Sequence, residues 1–258
     1  MSELEFLHAL RVDTLRHDGV EFARAPHELF QASTVHALLG GAFDGDVTLA
    51  ELLRHGDLGL GTLNGLDGEL IVIDGDAFKA EVDCTLTRPD RLVKTPYAVV
   101  VGFTSGRTER VRGPAARAAL ERGLWDGARL PGGPEAMRID GHFETVRVRS
   151  VPKQARPYPT LAAAIATQHV VDLHDIAGSM VGFCFPDGLA GIEILGSHLH
   201  FVCDRRLRGG HVLDYVVTEA TVALDDATRL HVELPAAVDP PTPGRGIDQA
   251  WLRRLETD

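Results

Sequence analysis

The feature that most constrains the fold is a series of short apolar runs separated by turn residues. Between Leu58 and Val82 the runs LGLGTL, ELIVID and AFKAEV follow one another, with Asn-Gly and Gly-Asp turns between them. Short apolar runs bounded by such turns predict a meander of strands. Because these strands need a sheet in which to be buried, we expect a β-rich fold.

Other segments of the 258-residue chain predict a few short helices among further strands. A strand that turns into a helix is predicted from Glu28 to Leu39, and a helix with Asp46 as its N-cap is predicted from Asp46 to Leu53. The remaining predictions are a strand from Tyr97 to Phe103, a helix from Pro114 to Leu124, a hairpin from Met137 to Val151 that turns at Asp140-Gly141, a helix from Thr160 to Gln168 and a short C-terminal helix from Ile247 to Glu256.

The pattern as a whole predicts an α+β fold of two packed β-sheet domains with a few short helices. A proline-rich segment, PKQARPYP from Pro152 to Pro159, interrupts the regular pattern, because proline removes backbone donors. We therefore predict an N-terminal sheet domain over residues 1–151 and a C-terminal sheet domain over residues 152–258.

Charge and composition narrow the classes of partner. The net charge is −11, which argues against nucleic acid and anionic membranes but not against a small anionic substrate in a locally positive cleft. The chain has no apolar run of the roughly 20 residues that a membrane span needs, and its first residues do not resemble a signal peptide. The three cysteines are far apart and form no CxxC motif. These features together predict a cytoplasmic protein.

Three histidines form a candidate metal site on strands of the C-terminal half. In the run GSHLHFV, His198 and His200 are two residues apart, so on a strand they project from the same face. His211 opens the next predicted strand after the loop CDRRLRGG, and an antiparallel return brings it beside the pair. Three neutral imidazoles leave an open coordination position, as in a catalytic zinc site. Spacing alone leaves iron, copper, nickel or manganese open as well.

Four long blocks of the sequence resemble bacterial α-acetolactate decarboxylases. They run from Phe30 to Gly75, from Lys94 to Phe103 (KTPYAVVVGF), from Arg149 to Pro159 (RSVPKQARPYP) and from Gly196 to Tyr215 (GSHLHFVCDRRLRGGHVLDY). The strings GDLGLGTLNGLDGEL and HLHF followed by GGHVLD are the most specific. The resemblance spans nearly the whole chain in the family's order.

The resemblance implies a zinc-dependent lyase that converts 2-acetolactate to acetoin and carbon dioxide, as in acetoin and butanediol biosynthesis. It places the zinc ligands on His198, His200 and His211, and the other active-site groups on Thr62, Glu69 and Arg149. A glutamate near the C-terminus also enters the family's site, and Glu256 is the best match. The resemblance further implies a two-domain α/β structure that associates as a homodimer.

The chemistry of a β-keto acid explains these groups. Loss of carbon dioxide sends electrons into the ketone, and a metal ion that polarises this ketone stabilises the resulting enediolate. No organic cofactor is expected, since the keto group is its own electron sink and no GxGxxG motif follows a strand. Arg149 offers a planar cationic fork to the anionic substrate. We expect either Glu69 or Glu256 to protonate the enediolate on one face only. We expect Thr62 to position the substrate or a water molecule.

Two other interpretations remain open at this point. In a cupin-like metal enzyme, Asp204 would join the HxH pair and His211, but a second histidine motif is then required, and His231 alone does not provide it. A non-catalytic domain that binds metal or acids would account for the histidines without using Glu69 or Arg149.

Overall fold

The computed structural model describes residues 11–16, 26–125, 133–190 and 192–234. Within these ranges, no helix has the length and apolar character that crossing a membrane requires. The described residues form fifteen strands and four short α-helices, with a 3-10 turn at Asp187–Leu189.

Strands account for most of the regular structure, as the turn-punctuated apolar runs predict. They are β1 Arg11–Arg16, β2 Glu28–Ala32, β3 Val47–Thr48, β4 Leu58–Thr62, β5 Glu69–Ile73, β6 Asp76–Ala80, β7 Leu86–Thr87, β8 Lys94–Thr95, β9 Tyr97–Val101, β10 Arg107–Ala116, β11 Glu135–Ser150, β12 His169–Phe185, β13 Gly196–Cys203, β14 Gly209–Asp226 and β15 Arg229–Leu234. The helices are α1 Val35–Leu39, α2 Leu49–His55, α3 Arg117–Leu124 and α4 Leu161–Ile165.

The strands form two main sheets. The larger sheet has eight strands in the order β1-β15-β2-β9-β4-β5-β6-β7, and the meander β4-β5-β6 within it is the one predicted. The smaller sheet has five strands in the order β10-β14-β11-β12-β13. Because β13 also pairs with β14, the pairing in this sheet runs in a closed circuit through β14, β11, β12 and β13. Strands β3 and β8 form a separate pair.

Side-chain alternation along the strands produces three apolar layers. Ile71 and Val99 of the larger sheet pack against Val181 and Phe183 of the smaller sheet, and this contact is the layer between the two sheets. The outer face of the larger sheet is covered by α2 and neighbouring residues. A third apolar cluster, which includes Phe143, lies on the other face of the smaller sheet. The α+β prediction of two packed sheets is confirmed.

Several predicted elements differ from the structure. The predicted hairpin at Asp140-Gly141 is wrong, since β11 runs without a turn from Glu135 to Ser150. A Cβ at Gly141 would lie 2.3 Å from the carbonyl oxygen of Glu219, so this glycine permits close strand packing and does not form a turn.

Two helix starts were also misplaced. Pro114 lies in β10, and α3 begins only at Arg117. The N-cap of α2 is Thr48 rather than Asp46: the Thr48 hydroxyl accepts from the N–H of Glu51, and the Glu51 side chain accepts from the N–H of Thr48. Such a reciprocal capping box outcompetes a lone aspartate.

Sheet membership does not follow the predicted division at residue 151. The chain leaves the larger sheet after β9, and both β10 and β11 belong to the smaller sheet. The last described strand, β15, then returns to the larger sheet and lies between β1 and β2. Each sheet is therefore built from both predicted halves. Residues 152–159 themselves are irregular, as their proline content predicts.

Candidate active site

The three predicted histidines converge between the two sheets. His198 and His200 project from the same face of β13, whereas Leu199 packs into the apolar cluster on the other face. His211 lies directly opposite His200 in the antiparallel ladder of β13 and β14. One ligand atom from each ring lies within 4.8 Å of the other two, and all three side chains are buried. The imidazole centroids are 4.9 to 5.3 Å apart.

His200 is held in one tautomer by the facing sheet. Its Nδ1 lies 2.8 Å from the carbonyl oxygen of Leu70 on β5, so Nδ1–H donates and Nε2 carries the lone pair. Nε2 is buried and has no hydrogen-bond partner among the described residues. A metal ion would satisfy this nitrogen. A histidine that ligates a metal through one ring nitrogen usually donates the other ring N–H to a carbonyl or carboxylate, as Nδ1–H does here. The residues present therefore fit a metal ion.

The electrostatics also suit metal binding. Burial lowers the pKa of His200 to about 3, although its hydrogen bond to Leu70 acts in the opposite direction. Burial, together with neighbouring positive groups, lowers the pKa of His198 and His211 well below the usual value. All three imidazoles are thus neutral at neutral pH, and neutral imidazole is the form that ligates a divalent cation.

The larger sheet contributes Glu69 and Thr62, which are directly paired at the ends of β5 and β4. The Glu69 Oε2 atom lies 3.7 Å from Nε2 of His200. Burial raises the pKa of Glu69 to about 7, against the opposing effect of the Arg149 charge. The Thr62 hydroxyl donates to the carbonyl of Gly68 at 2.7 Å and closes the turn before Glu69. The Thr62 oxygen can therefore only accept a further hydrogen bond.

Arg149 lies on β11 directly opposite His211 on β14. Its side chain is buried, and Nη1 donates to Oε1 of Gln168 at 2.9 Å. The backbones of the two strands come close here, since a Cβ on Gly210 would lie 2.6 Å from the Arg149 carbonyl oxygen. Glycine at position 210 thus allows β11 and β14 to approach closely where Arg149 lies next to His211.

These groups line one cavity, whose other wall is apolar. The polar lining comprises Thr62, Glu69, Arg149, His198, His200 and His211; the remaining lining residues are Leu38, Gly61, Leu66, Tyr97, Val151, Leu161, Ile165 and Ile194. Sequence reasoning did not identify the apolar wall. Leu161 and Ile165 are four residues apart on a predicted helix, and this i, i+4 spacing was the available signal. Glu256 lies outside the described residues.

The other candidate ligands lie elsewhere. Asp204 is exposed at the turn after β13, where its N–H donates to the carbonyl of Ala177. His231 stacks on Phe30, with ring centroids 5.2 Å apart, and Phe30 belongs to the outer apolar layer of the larger sheet. Across the described ranges, His198, His200 and His211 form the one group of three side chains with metal-ligand spacing. The second histidine motif that a cupin needs is thus not formed by His231.

Comparison with known proteins identifies the family. The model of the alpha-acetolactate decarboxylase family matches residues 29–239. The chain belongs to the alpha-acetolactate decarboxylase family. The alpha-acetolactate decarboxylase of Methanosarcina mazei is 38% identical over 213 residues, which cover 82% of this chain and 73% of that relative. The corresponding protein of Bacillus subtilis is 36% identical over 214 residues, covering 82% of this chain and 83% of the relative.

Solved structures agree with this assignment to the alpha-acetolactate decarboxylase family. The crystal structure of alpha-acetolactate decarboxylase from Bacillus subtilis strain 168 superposes with a TM-score of 0.82 at 32% identity, and the match covers 89% of this chain and 98% of the other. A Staphylococcus aureus protein described as similar to alpha-acetolactate decarboxylase superposes with a TM-score of 0.78 at 30% identity, covering 89% and 98%. The family resemblance is confirmed, and the chain is an enzyme of the carboxy-lyase class.

Proposed function

We propose that this enzyme decarboxylates 2-acetolactate to acetoin and carbon dioxide with a zinc ion held by His198, His200 and His211. The observation that carries the proposal is the convergence of three buried, neutral imidazoles on a cavity that Arg149 and Glu69 also line. When bound, a zinc ion supplies Lewis acidity, which polarises the substrate ketone and stabilises the negative charge that develops on its oxygen.

The bond changes are those of a β-keto acid. The bond between the hydroxyl-bearing carbon and the carboxylate breaks, and its electron pair moves into the neighbouring ketone to give an enediolate. A proton then adds to the carbon that has lost the carboxylate, which yields acetoin. No external oxidant or reductant is required. We propose zinc as the cofactor, with no organic cofactor.

Arg149 binds the anionic end of the substrate in this scheme. Its charge is fixed at any physiological pH, and the planar guanidinium can donate two parallel hydrogen bonds to a carboxylate. The hydrogen bond from Nη1 to Gln168 orients this plane.

Leu161, Ile165 and Ile194 form an apolar wall against which the two methyl groups of 2-acetolactate can pack. The Thr62 oxygen accepts a hydrogen bond from the substrate hydroxyl or a water molecule.

Glu69 delivers the proton to the enediolate carbon. Among the described residues that line the cavity, Glu69 is the one carboxyl group, and it approaches from the sheet opposite the histidines. Addition from that side alone makes the product a single enantiomer. Glu256 is the alternative donor that the family resemblance implies.

Metal analysis combined with an acetoin assay tests the proposal. We expect the wild-type protein to bind zinc stoichiometrically and to release carbon dioxide and acetoin from 2-acetolactate, and we expect a chelator to abolish turnover until zinc is restored. His200→Ala should lack both zinc and activity. A wild-type protein that binds zinc but leaves 2-acetolactate unchanged would instead be a non-catalytic metal-binding domain.

Three further features belong to the same proposal. Acetoin and butanediol biosynthesis is the process that uses this reaction. A cytoplasmic location is supported by three cysteines that are all free and buried. A homodimer is expected from the family resemblance, and the molar mass in solution, measured by light scattering, tests it.

A further inference from the structure

One edge of β14 changes its partner next to the candidate metal site. Residues Gly209 to His211 pair with β13, and residues from Val216 onward pair with β10 on the same edge. The four residues between them, from Val212 to Tyr215, pair with neither strand in the described ladders. The two histidine-bearing strands therefore separate immediately beyond the pair formed by His200 and His211, on the side where His198 lies.

The guanidinium of Arg117 occupies the gap between the separated strands. Arg117 is the first residue of α3, and its side chain is buried. Nη1 donates to the carbonyls of Val212 and Leu213 at 3.2 and 2.8 Å, and Nη2 donates to the carbonyl and the hydroxyl of Ser197 at 3.0 Å each. Ser197 precedes His198, and Val212 follows His211. One side chain thus binds the backbone next to two of the three candidate ligands.

Glu121 fixes the plane of this guanidinium. Its Oε1 accepts from Nε of Arg117 at 2.9 Å, one helical turn away, and also from the Ser197 hydroxyl at 2.6 Å. The carboxylate offsets the cost of burying the arginine charge. A lysine cannot replace this arrangement, because an ammonium group lacks the flat fork that reaches two strands at once.

We propose that Arg117 is a positioning residue for the metal centre, which holds β13 and β14 at the separation that keeps His198 in reach of an ion bound by His200 and His211. Backbone pairing already sets the relation between His200 and His211. His198 remains paired with Phe183 of β12 on one edge of β13, but on the edge that faces β14 the pairing has ended. On that edge the bridge through Arg117 takes the place of the missing backbone pairs and sets the distance from His198 to β14. The inference rests on the proposed metal site.

Metal affinity and ligand identity of the full-length protein test the inference. Arg117→Lys is the principal variant. Ser197→Ala is a milder one, which removes the hydroxyl that accepts from Arg117 and donates to Glu121 but keeps the Ser197 carbonyl. We expect Arg117→Lys to weaken zinc binding about 10- to 100-fold, which is the usual effect of removing a residue that orients a metal ligand. Competition with a chromophoric chelator measures the affinity. Ser197→Ala should weaken it less. Arg138→Lys is the matched control, since Arg138 is also ion-paired, to Asp74 and Asp140, but lies on β11 far along the strand from Arg149.

Cobalt substitution separates positioning from general loss of structure. In the NMR spectrum of the Co²⁺-loaded protein we expect shifted imidazole N–H signals from three histidines in the wild type, and a displaced or missing His198 signal in Arg117→Lys. Wild-type affinity and spectrum in Arg117→Lys would overturn the inference, as would an equal loss in Arg138→Lys. If Arg117→Lys does not fold, Ser197→Ala decides, and a wild-type affinity and spectrum there overturn it. If the wild-type protein itself binds no metal, the proposed function fails and not this inference alone.

Discussion

Arg147 and Arg149 show how strongly a residue's surroundings determine its chemistry. Both project from the same face of β11, two residues apart. The Arg147 side chain is 54% exposed and lies 3.9 Å from Asp172, whereas Arg149 is 5% exposed and lines the cavity beside His211. An exposed arginine is already solvated by water, but a buried one has to find its partners in the protein or in a ligand. The buried guanidinium of Arg149 is therefore available to an anionic ligand in the cavity, whereas that of Arg147 is solvated at the surface.

We expect Arg149→Lys to lower kcat/KM for 2-acetolactate about 10- to 100-fold. The variant keeps the positive charge but loses the bidentate fork, and hydrogen bonds to a charged group contribute about 1.5–3 kcal/mol. Steady-state kinetics measures the effect, and zinc content should stay at the wild-type level. Arg147→Lys is the matched control and should remain within about twofold of wild type. Equal kinetics in the two variants would remove Arg149 from the proposed site.

Replacement of each candidate proton donor distinguishes Glu69 from Glu256. We expect Glu69→Gln to lower kcat by about 100-fold or more, because a positioned acid typically contributes 10²- to 10⁴-fold, and to retain zinc. The acetoin that still forms should lose enantiomeric purity, since solvent can protonate either face. Chiral chromatography of the product measures this. The reverse pattern, in which Glu256→Gln gives the slow and racemic enzyme, would assign the proton to Glu256.

At the level of elements, the site depends on close approaches that only glycine permits. β14 begins at Gly209, and a Cβ there would lie 2.3 Å from the carbonyl oxygen of Phe201 on β13. On the other side of β14, Gly210 lies against Arg149 of β11. Glycine at these two positions therefore brings three strands together where His200, His211 and Arg149 meet.

We expect Gly210→Ala to reduce the free energy of unfolding by about 1–3 kcal/mol, the usual cost of forcing atoms into a packed region. The added methyl group would meet backbone and also the Val148 Cβ at 3.2 Å, so neither neighbour can move freely. Zinc affinity should fall as well, since His211 is the next residue. Urea unfolding and chelator competition measure both effects. In the matched control, Gly123→Ala on α3, nothing lies within 4 Å of the new Cβ, and unchanged or slightly higher stability is expected. Similar results for the two variants would contradict this account of Gly210.

At the scale of the whole molecule, the site exists because two sheets pack face to face. The three histidines and Arg149 come from the smaller sheet, while Thr62 and Glu69 come from the larger one. The hydrogen bond from His200 to the Leu70 carbonyl crosses the junction. Any loss of packing between the sheets would therefore separate the acid from the histidines.

The acid stability of the whole molecule should depend on His55 at the end of α2. Its ring stacks on Phe30, with centroids 3.9 Å apart and an angle of 6° between the planes. Burial, followed by the nearby His231, lowers the pKa of His55 to about 4. Above the unfolded-state pKa of about 6.5, the ring is neutral in both states and its packing contributes fully. Between that pH and about 4, only the unfolded chain takes up the proton, so the free energy of unfolding falls as the pH falls.

Urea unfolding of wild type and His55→Gln between pH 7.5 and pH 4 measures this contribution. The wild type should lose about 1–2 kcal/mol more than the variant across the window, a value reduced because the ring is partly solvent-screened. The comparison at pH 7.5, where the ring is neutral in both states, serves as the internal control. Parallel stability curves for the two proteins would exclude His55 as a source of acid sensitivity.

The sequence alone determined the local features of this protein. Alternation along a strand placed His198 and His200 on one face, and the glycine-containing turns predicted the meander that carries Thr62 and Glu69. The four family blocks led to the correct family and to the polar residues that meet in the cavity. Each of these signals is contained in a short window or in a motif read directly from the chain.

Only the tertiary structure decided which segments share a sheet and what surrounds each side chain. The Asp140-Gly141 pair has the composition of a turn, yet pairing with the strands on both sides keeps this part of β11 extended. The return of β15 to the larger sheet and the bridge from Arg117 to Ser197 and Val212 join residues that are remote in sequence. Long-range pairing and burial depend on contacts between distant segments, and no local window of sequence contains those contacts.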